Sequence, residues 1–148
     1  MGQLKLPPSG SVYVDTNAVI YRVERIEPYL TASAPLWDAL DVGLVQIVTS
    51  ELTLLEVLVK PLRNGDPTLT SLYRTVLLGT SGLTCMPVTR TILESAAQVR
   101  AMCNLKTPDA IQAATALVAG SALFVSNDAG FRRVSGLPIA VLSEVAAS

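Results

Sequence analysis

The chain has 148 residues, of which 50% are hydrophobic and 16% are charged, and its formal net charge is −1. This length and composition fit one folded domain spanning residues 1–148 and argue against an intrinsically disordered chain. The absence of histidine excludes histidine-based acid/base or triad chemistry, and two cysteines without a clustered motif suggest neither a zinc site nor a disulfide framework.

Apolar segments bounded by turn residues predict strands, and segments with helical spacing or caps predict helices. In chain order, the predicted elements are a strand at 12–14, a helix at 16–21, a helical region at 28–43, a strand at 44–49, helices at 50–61 and 69–77, a strand at 83–88, helices at 89–103 and 107–120, a strand at 123–125 and a short strand at 139–142. Because apolar strands alternate with helices, the sequence predicts an α/β fold with three α/β/α layers around a mostly parallel sheet.

Three acidic residues are predicted to meet at one edge of this sheet. Asp15 closes the first strand and Asp128 follows the strand at 123–125, so both lie at the carboxyl ends of strands. Asp109 lies in the first turn of a helix that runs antiparallel to the strand after it, which brings the N-terminus of that helix to the same edge. Ligands of parallel sheets gather at this edge.

A fourth acid, Glu56, lies well over a turn inside its helix, and its apolar neighbours suggest a face turned towards the protein. Each acid also has a purely structural interpretation. Asp15 fits a helix cap, Asp128 fits an Asx turn, and Asp109 fits the favourable position for an acid in a first helical turn. Glu56 could form a surface ion pair with Lys60.

What these structural interpretations explain poorly is the coincidence of acids at one edge, where unshielded carboxylates repel one another. A bound cation accounts for that coincidence. Oxygen ligands without histidine or thiolate select Mg²⁺ or Mn²⁺ over zinc. The residues Thr16, Asn17, Ser126 and Asn127 flank the cluster and are candidate supporting residues that orient a ligand or water.

The remaining sequence features bear on location and partners. The N-terminal ten residues lack the apolar core of a signal peptide, and Gly120 divides the uncharged stretch between Asp109 and Asp128 into a buried helix and a buried strand. We therefore expect no membrane association and a reducing cytoplasm. The mean hydropathy of +0.46 predicts an exposed apolar surface that a second copy or a protein inhibitor covers.

Four short motifs together resemble those of PIN-domain nucleases, and most closely the VapC-type toxins of bacterial toxin-antitoxin pairs. They are Val14-Asp15-Thr16-Asn17, Thr53-Leu54-Leu55-Glu56, Pro108-Asp109-Ala110 at the start of an alanine-rich helix, and Ser126-Asn127-Asp128 with Phe131. The motifs follow one another in order over nearly the whole chain. Ser126 stands where a threonine is frequent in the family, and the hydroxyl is preserved.

The resemblance implies that Asp15, Glu56, Asp109 and Asp128 are the four acids of the family's catalytic site. It implies a PIN-like fold, Mg²⁺- or Mn²⁺-dependent endoribonuclease activity on RNA, a cognate protein antitoxin that occupies the groove, and a homodimer. By the chemistry of such a site, Asp15 and Asp109 are the best candidates for direct metal ligands, while Glu56 and Asp128 bind directly or through water.

Other functions remain open at this point. A PIN nuclease could process RNA without an antitoxin, and the same fold could bind metal as a catalytically silent interaction module. A haloacid-dehalogenase-like phosphatase also places an aspartate after its first strand and uses it as a nucleophile. That class normally has a second aspartate two residues later, where this chain has Asn17.

Overall fold

The computed structural model of the protein describes residues 2–148 and shows strands and helices in alternation, as the sequence predicts. The strands are β1 (Val12–Val14), β2 (Ile47–Ser50), β3 (Leu83–Met86), β4 (Leu123–Ser126) and β5 (Ile139–Val141). The helices are α1 (Thr16–Val23), α2 (Tyr29–Asp41), α3 (Glu51–Arg63), α4 (Pro67–Gly79), α5 (Arg90–Cys103), α6 (Thr107–Ala119) and α7 (Leu142–Ala147), with a 3₁₀ turn at Ala129–Arg133.

The strands form one sheet in the order β3-β2-β1-β4-β5. Its four strand pairings are all parallel, which confirms the predicted sheet. The central strand β1 pairs with β2 on one side and β4 on the other, with Val12 opposite both Ile47 and Leu123. The chain order reverses between β1 and β4. In parallel sheets, a crevice opens at such a point, beyond the carboxyl ends of the two strands.

Helices cover both faces of the sheet, which confirms the three-layer α/β/α prediction. Successive side chains of β1 point to opposite faces. Val12 and Val14 therefore pack into a core formed with α1, α2, α4 and α7, whereas Tyr13 packs into a second core formed with α5 and α6. The Tyr13 ring stacks on Phe124 of β4, with the ring centroids 5.0 Å apart.

The largest errors in the predicted strand boundaries are in the second and third strands. The second strand begins at Ile47 and not at residue 44, because the chain first wraps around the end of α2. Gly43 adopts a left-handed conformation with φ of 76°, and the Leu44 N–H bonds to the Ala39 carbonyl, which closes the helix. The Leu44 side chain is left 81% exposed. Strand β3 ends at Met86 and not at residue 88.

The sequence interpretation also missed α7, which follows β5 without a loop, and wrongly assigned its first residue, Leu142, to the last strand. Leu142 is fully buried against the core, and the Ser143 N–H donates to Asn127 Oδ1 at 2.8 Å. These tertiary contacts stabilise a helix that is too short to be stable alone. Among residues 2–148, no helix has the length and apolar character needed to cross a membrane.

Candidate active site

Asp15 occupies the turn from β1 into α1 and is only 7% exposed. Its Oδ1 accepts a hydrogen bond from the Ala18 N–H at 3.1 Å and so caps α1, while its Oδ2 accepts one from the Ser126 hydroxyl at 2.5 Å. Burial raises the pKa of Asp15 to about 6, and the negative charges of Asp109 and Asp128 act in the same direction. Asp15 therefore caps α1, although burial and the neighbouring acids destabilise its ionised form.

Asp109 lies in the first turn of α6 and is partly exposed. Its pKa is raised, first by burial and then by the negative charges of Asp128 and Glu56, whereas Lys106 opposes the shift. Asp15 follows β1, Asp128 follows the neighbouring strand β4, and the negative charge of Asp128 acts on both Asp15 and Asp109, as expected for three acids at the crevice between β1 and β4.

Glu56 reaches the same region from α3, a helix that Ser50 caps through a 3.0 Å bond from the Leu52 N–H. The side chain of Glu56 does not pair with Lys60. Its Oε1 instead accepts hydrogen bonds from the Thr16 hydroxyl at 2.6 Å and from the Gln112 amide at 3.2 Å. The Glu56 carboxylate therefore faces Thr16 and Gln112, a direction that the sequence alone did not determine.

Asp128 is exposed and begins the 3₁₀ turn that follows β4. Its Oδ1 accepts from the Gly130 N–H at 2.8 Å, as the Asx-turn interpretation predicted. Its own N–H donates to the Ser126 hydroxyl oxygen at 3.0 Å. Because the same hydroxyl donates to Asp15, Ser126 links two of the acids through one oxygen atom.

The other predicted supporting residues have different surroundings. Thr16 bonds to Glu56, as described above. Asn127 is used structurally, since its amide donates to the Tyr21 hydroxyl at 3.2 Å and its carbonyl accepts from the N–H of Ser143 in α7. Asn17 is exposed, and no hydrogen bond of its side chain is found within residues 2–148. The participation of these residues in a reaction stays a prediction.

Gln112 is a residue of this region that sequence analysis missed. It lies on α6 one turn after Asp109 and is 2% exposed. Its amide nitrogen lies 3.0 Å from Thr16 Oγ1, 3.1 Å from Thr53 Oγ1 and 3.2 Å from Glu56 Oε1. The available signal was an uncharged polar residue, Gln112, within an otherwise mostly apolar stretch of helix, because a buried polar group requires partners.

The donor set of the region fits a divalent cation. Carboxylate, hydroxyl and amide oxygens are the ligands that Mg²⁺ and Mn²⁺ prefer. Within residues 2–148, the one salt bridge joins Arg132 to Glu144, so none of the four acids is paired with a basic side chain. A cation would relieve the electrostatic cost that the raised pKa of Asp15 records. The fit is one of donor chemistry, because within residues 2–148 no group of three acidic side chains is already positioned to hold a metal ion.

Comparison with known families identifies the fold. The family model for the PIN domain matches residues 12–137, a range that includes all four acids. This chain belongs to the PIN-domain family. PIN domains of the VapC type are in general nucleases. Family membership disfavours the phosphatase alternative, and the exposed Asn17 stands where that class would need its second aspartate.

Solved structures share the fold of this PIN domain at low sequence identity. VapBC2 from Rickettsia felis, bound to a DNA fragment from its promoter, is 18% identical, with a TM-score of 0.67 over 87% of this chain and 97% of the other. A toxin-antitoxin complex from Klebsiella pneumoniae is 22% identical, with a TM-score of 0.64 over 89% and 98%. PAE2754 from Pyrobaculum aerophilum is 19% identical, with a TM-score of 0.56 over 94% and 98%. No curated protein matches the chain in sequence.

Proposed function

We propose that this PIN domain is a Mg²⁺- or Mn²⁺-dependent endoribonuclease and the toxin of a toxin-antitoxin pair. One observation carries the proposal. At the carboxyl edge of the sheet, burial and the negative charges of neighbouring acids raise the pKa of both Asp15 and Asp109, and no basic side chain within residues 2–148 forms a salt bridge with Asp15, Asp109 or Asp128. A cluster of acids without a salt-bridge partner favours cation binding over a purely structural role.

The four carboxylates have distinct proposed roles. Asp15 and Asp109 bind the ion directly, whereas Glu56 and Asp128 bind it directly or through water. When bound, Mg²⁺ or Mn²⁺ supplies Lewis acidity, which activates water for attack on phosphorus and stabilises charge on the phosphate oxygens. Ser126 supports this arrangement because its hydroxyl donates to the Asp15 carboxylate and accepts from the Asp128 N–H.

Binding also requires that Asp15 be ionised. With a pKa of about 6, the carboxylate of Asp15 is ionised in most molecules at neutral pH. A bound cation would lower this raised pKa and favour the ionised form. Protons therefore compete with the ion for Asp15 below about pH 6. We expect metal affinity and cleavage to fall together in that range.

The choice of RNA as substrate and of an antitoxin as partner rests on the resemblance to VapC-type toxins. It is supported by the shared fold with toxin-antitoxin complexes such as that from Klebsiella pneumoniae. We place the protein in the cytoplasm, where its two free thiols, Cys85 and Cys103, remain reduced.

A homodimer is proposed through the outer face of α3. Leu55, Val59 and Leu62 recur at helical spacing on this helix and are 60%, 42% and 59% exposed. Apolar side chains grouped in this way mark a surface that a partner covers. Because α3 also carries Glu56, contact between two copies would fix the position of one site acid.

The proposed activity is tested by incubating total bacterial RNA with the purified, inhibitor-free protein in Mn²⁺, in Mg²⁺ and in EDTA. The matched control is Asp15→Asn, which preserves size and retains a residue suited to capping α1. We expect RNA cleavage that requires metal and is lost in the folded variant, with single-stranded DNA assayed in parallel to define the substrate. Absence of cleavage by the folded wild type, or equal cleavage by Asp15→Asn, would contradict the proposal.

The antitoxin is tested separately by expressing the wild type in a bacterial host with and without the small protein encoded beside it. We expect growth arrest only when the wild type is expressed alone, because the partner blocks the site. If the wild type is active on RNA but the neighbouring protein neither binds nor inhibits it, the protein is an RNA-processing nuclease and not a toxin.

A further inference from the structure

The side chain of Gln112 has more hydrogen-bond neighbours than a structural glutamine needs. It is 2% exposed and lies between the sheet and the acid cluster. Its amide nitrogen has two hydrogens but faces three acceptors: Thr16 Oγ1 at 3.0 Å, Thr53 Oγ1 at 3.1 Å and Glu56 Oε1 at 3.2 Å. One of these acceptors is a proposed metal-binding carboxylate.

Tyr13 fixes the orientation of this amide from the opposite side. The Tyr13 hydroxyl, fully buried at the centre of the sheet, donates a hydrogen bond to Gln112 Oε1. An ionised carboxylate only accepts hydrogen bonds, so the amide nitrogen must face Glu56 and the amide oxygen must face Tyr13. The ring of Tyr13 is itself held by stacking on Phe124. The amide therefore has one orientation that satisfies both neighbours.

Glu56 is held by one oxygen only. Its Oε1 accepts from Thr16 and from Gln112, while its Oε2 has no hydrogen-bond partner among the side chains and backbone of residues 2–148. Both donors are neutral, so they orient the carboxylate without cancelling its charge. A lysine or arginine at position 112 would instead compete with a cation for that charge.

We infer that Gln112 is a positioning residue of the candidate active site: oriented by the Tyr13 hydroxyl, it holds Oε1 of Glu56 and leaves the second oxygen available to a divalent ion. This inference rests on the proposed function, because Gln112 is taken to orient Glu56 as a ligand of the proposed metal ion. A chain of hydrogen bonds thus connects the core of the sheet to the acid cluster through Tyr13, Gln112 and Glu56. Groups that orient metal ligands in this way affect metal affinity without touching the ion.

The test measures Mn²⁺ binding by electron paramagnetic resonance and RNA cleavage for the wild type and for Gln112→Met. Methionine keeps the length of the side chain and removes its polar atoms. We expect binding to weaken and cleavage to slow by roughly 10- to 100-fold. Gln98→Met is the matched control, because Gln98 is exposed on α5 and outside the network. Its Mn²⁺ affinity should equal that of the wild type.

A double-mutant cycle separates positioning from general loss of structure. If Gln112 acts through Glu56, then Gln112→Met should change Mn²⁺ affinity less than about 2-fold in a Glu56→Gln background. Tyr13→Phe is the second variant and keeps the ring on Phe124 while freeing the amide to rotate. It should weaken Mn²⁺ binding in the same direction as Gln112→Met, but by less.

Two results would overturn the inference: wild-type Mn²⁺ affinity in folded Gln112→Met and Tyr13→Phe, or equal losses from Gln112→Met with and without Glu56. If Gln112→Met does not fold, the Tyr13→Phe result decides. Failure of the proposed function is distinct, because the wild type itself would then neither bind Mn²⁺ nor cleave RNA.

Discussion

Replacement of Asp15 by asparagine should stabilise the metal-free protein. Burial raises the pKa of Asp15 from an ordinary value of 3.8 to about 6. Above pH 6 the folded protein therefore carries a buried charge that the unfolded chain holds in water. This raised pKa corresponds to a cost of about 3 kcal/mol at neutral pH, because each tenfold change in proton affinity is worth about 1.4 kcal/mol. An asparagine side chain at this position would carry no such charge and could still accept from the Ala18 N–H.

The sign of the pH dependence follows from proton linkage. Between about pH 4 and pH 6, the folded wild type binds more protons at Asp15 than the unfolded chain does, so its stability falls as pH rises through this window. Below about pH 4, Asp15 is protonated in both states and the contribution disappears. Asp15→Asn lacks this titration. The difference between the two proteins should grow from near zero at pH 4 to about 3 kcal/mol above pH 7.

Urea unfolding in EDTA at pH 4, 5, 6 and 7.5 measures this difference. Asp66→Asn is the control, since Asp66 caps α4 through the Leu69 N–H but is exposed. This substitution should change stability by less than about 1 kcal/mol, because asparagine caps as well as aspartate does. An Asp15→Asn protein that is less stable than the wild type at pH 7.5, or a difference that does not vary with pH, would refute the reasoning.

Three further predictions address the site, the fold and the partner surface. Asp109→Asn should lower metal-dependent RNA cleavage by at least about 100-fold, since a lost ligand costs several kcal/mol of transition-state stabilisation, while its circular dichroism spectrum stays that of the wild type. Gly120→Ala should lower the free energy of unfolding by about 1 kcal/mol, because Gly120 ends α6 in a left-handed conformation with φ of 66°. The control Gly79→Ala lies in α4 with open space around it and should leave the free energy of unfolding unchanged or raise it. Equal effects of the two substitutions in urea unfolding would contradict the argument. Val59→Lys should convert a dimer into a monomer by light scattering, whereas Leu93→Lys on α5 should not.

Local rules correctly predicted where the two acids at strand ends lie in the fold. Asp15 and Asp128 follow apolar strands, and the carboxyl ends of parallel strands face one edge whatever the strand order is. The strand order itself did not follow from the sequence. It depends on which apolar faces pack together, and all the buried strands of this chain have similar composition.

The network around Gln112 could not be predicted because its members are far apart in the chain. Gln112 is 99 residues from Tyr13 and 56 residues from Glu56. Helix α7 was missed for a related reason. Six residues give too little periodicity for recognition, and its stability comes from burial of Leu142 and from the bond between Ser143 and Asn127. Interactions over such distances are set by the fold and not by local sequence.

The most direct measurement of the central claim is anomalous diffraction from crystals of the wild type soaked in Mn²⁺. We expect an anomalous peak at the carboxyl edge of the sheet, with Asp15 and Asp109 as direct ligands and Glu56 and Asp128 within direct or water-bridged reach. The same soak of Asp15→Asn crystals should give no peak there. A cleavage-competent wild type whose Mn²⁺ binds elsewhere, or an Asp15→Asn protein with the same peak, would contradict the proposed site.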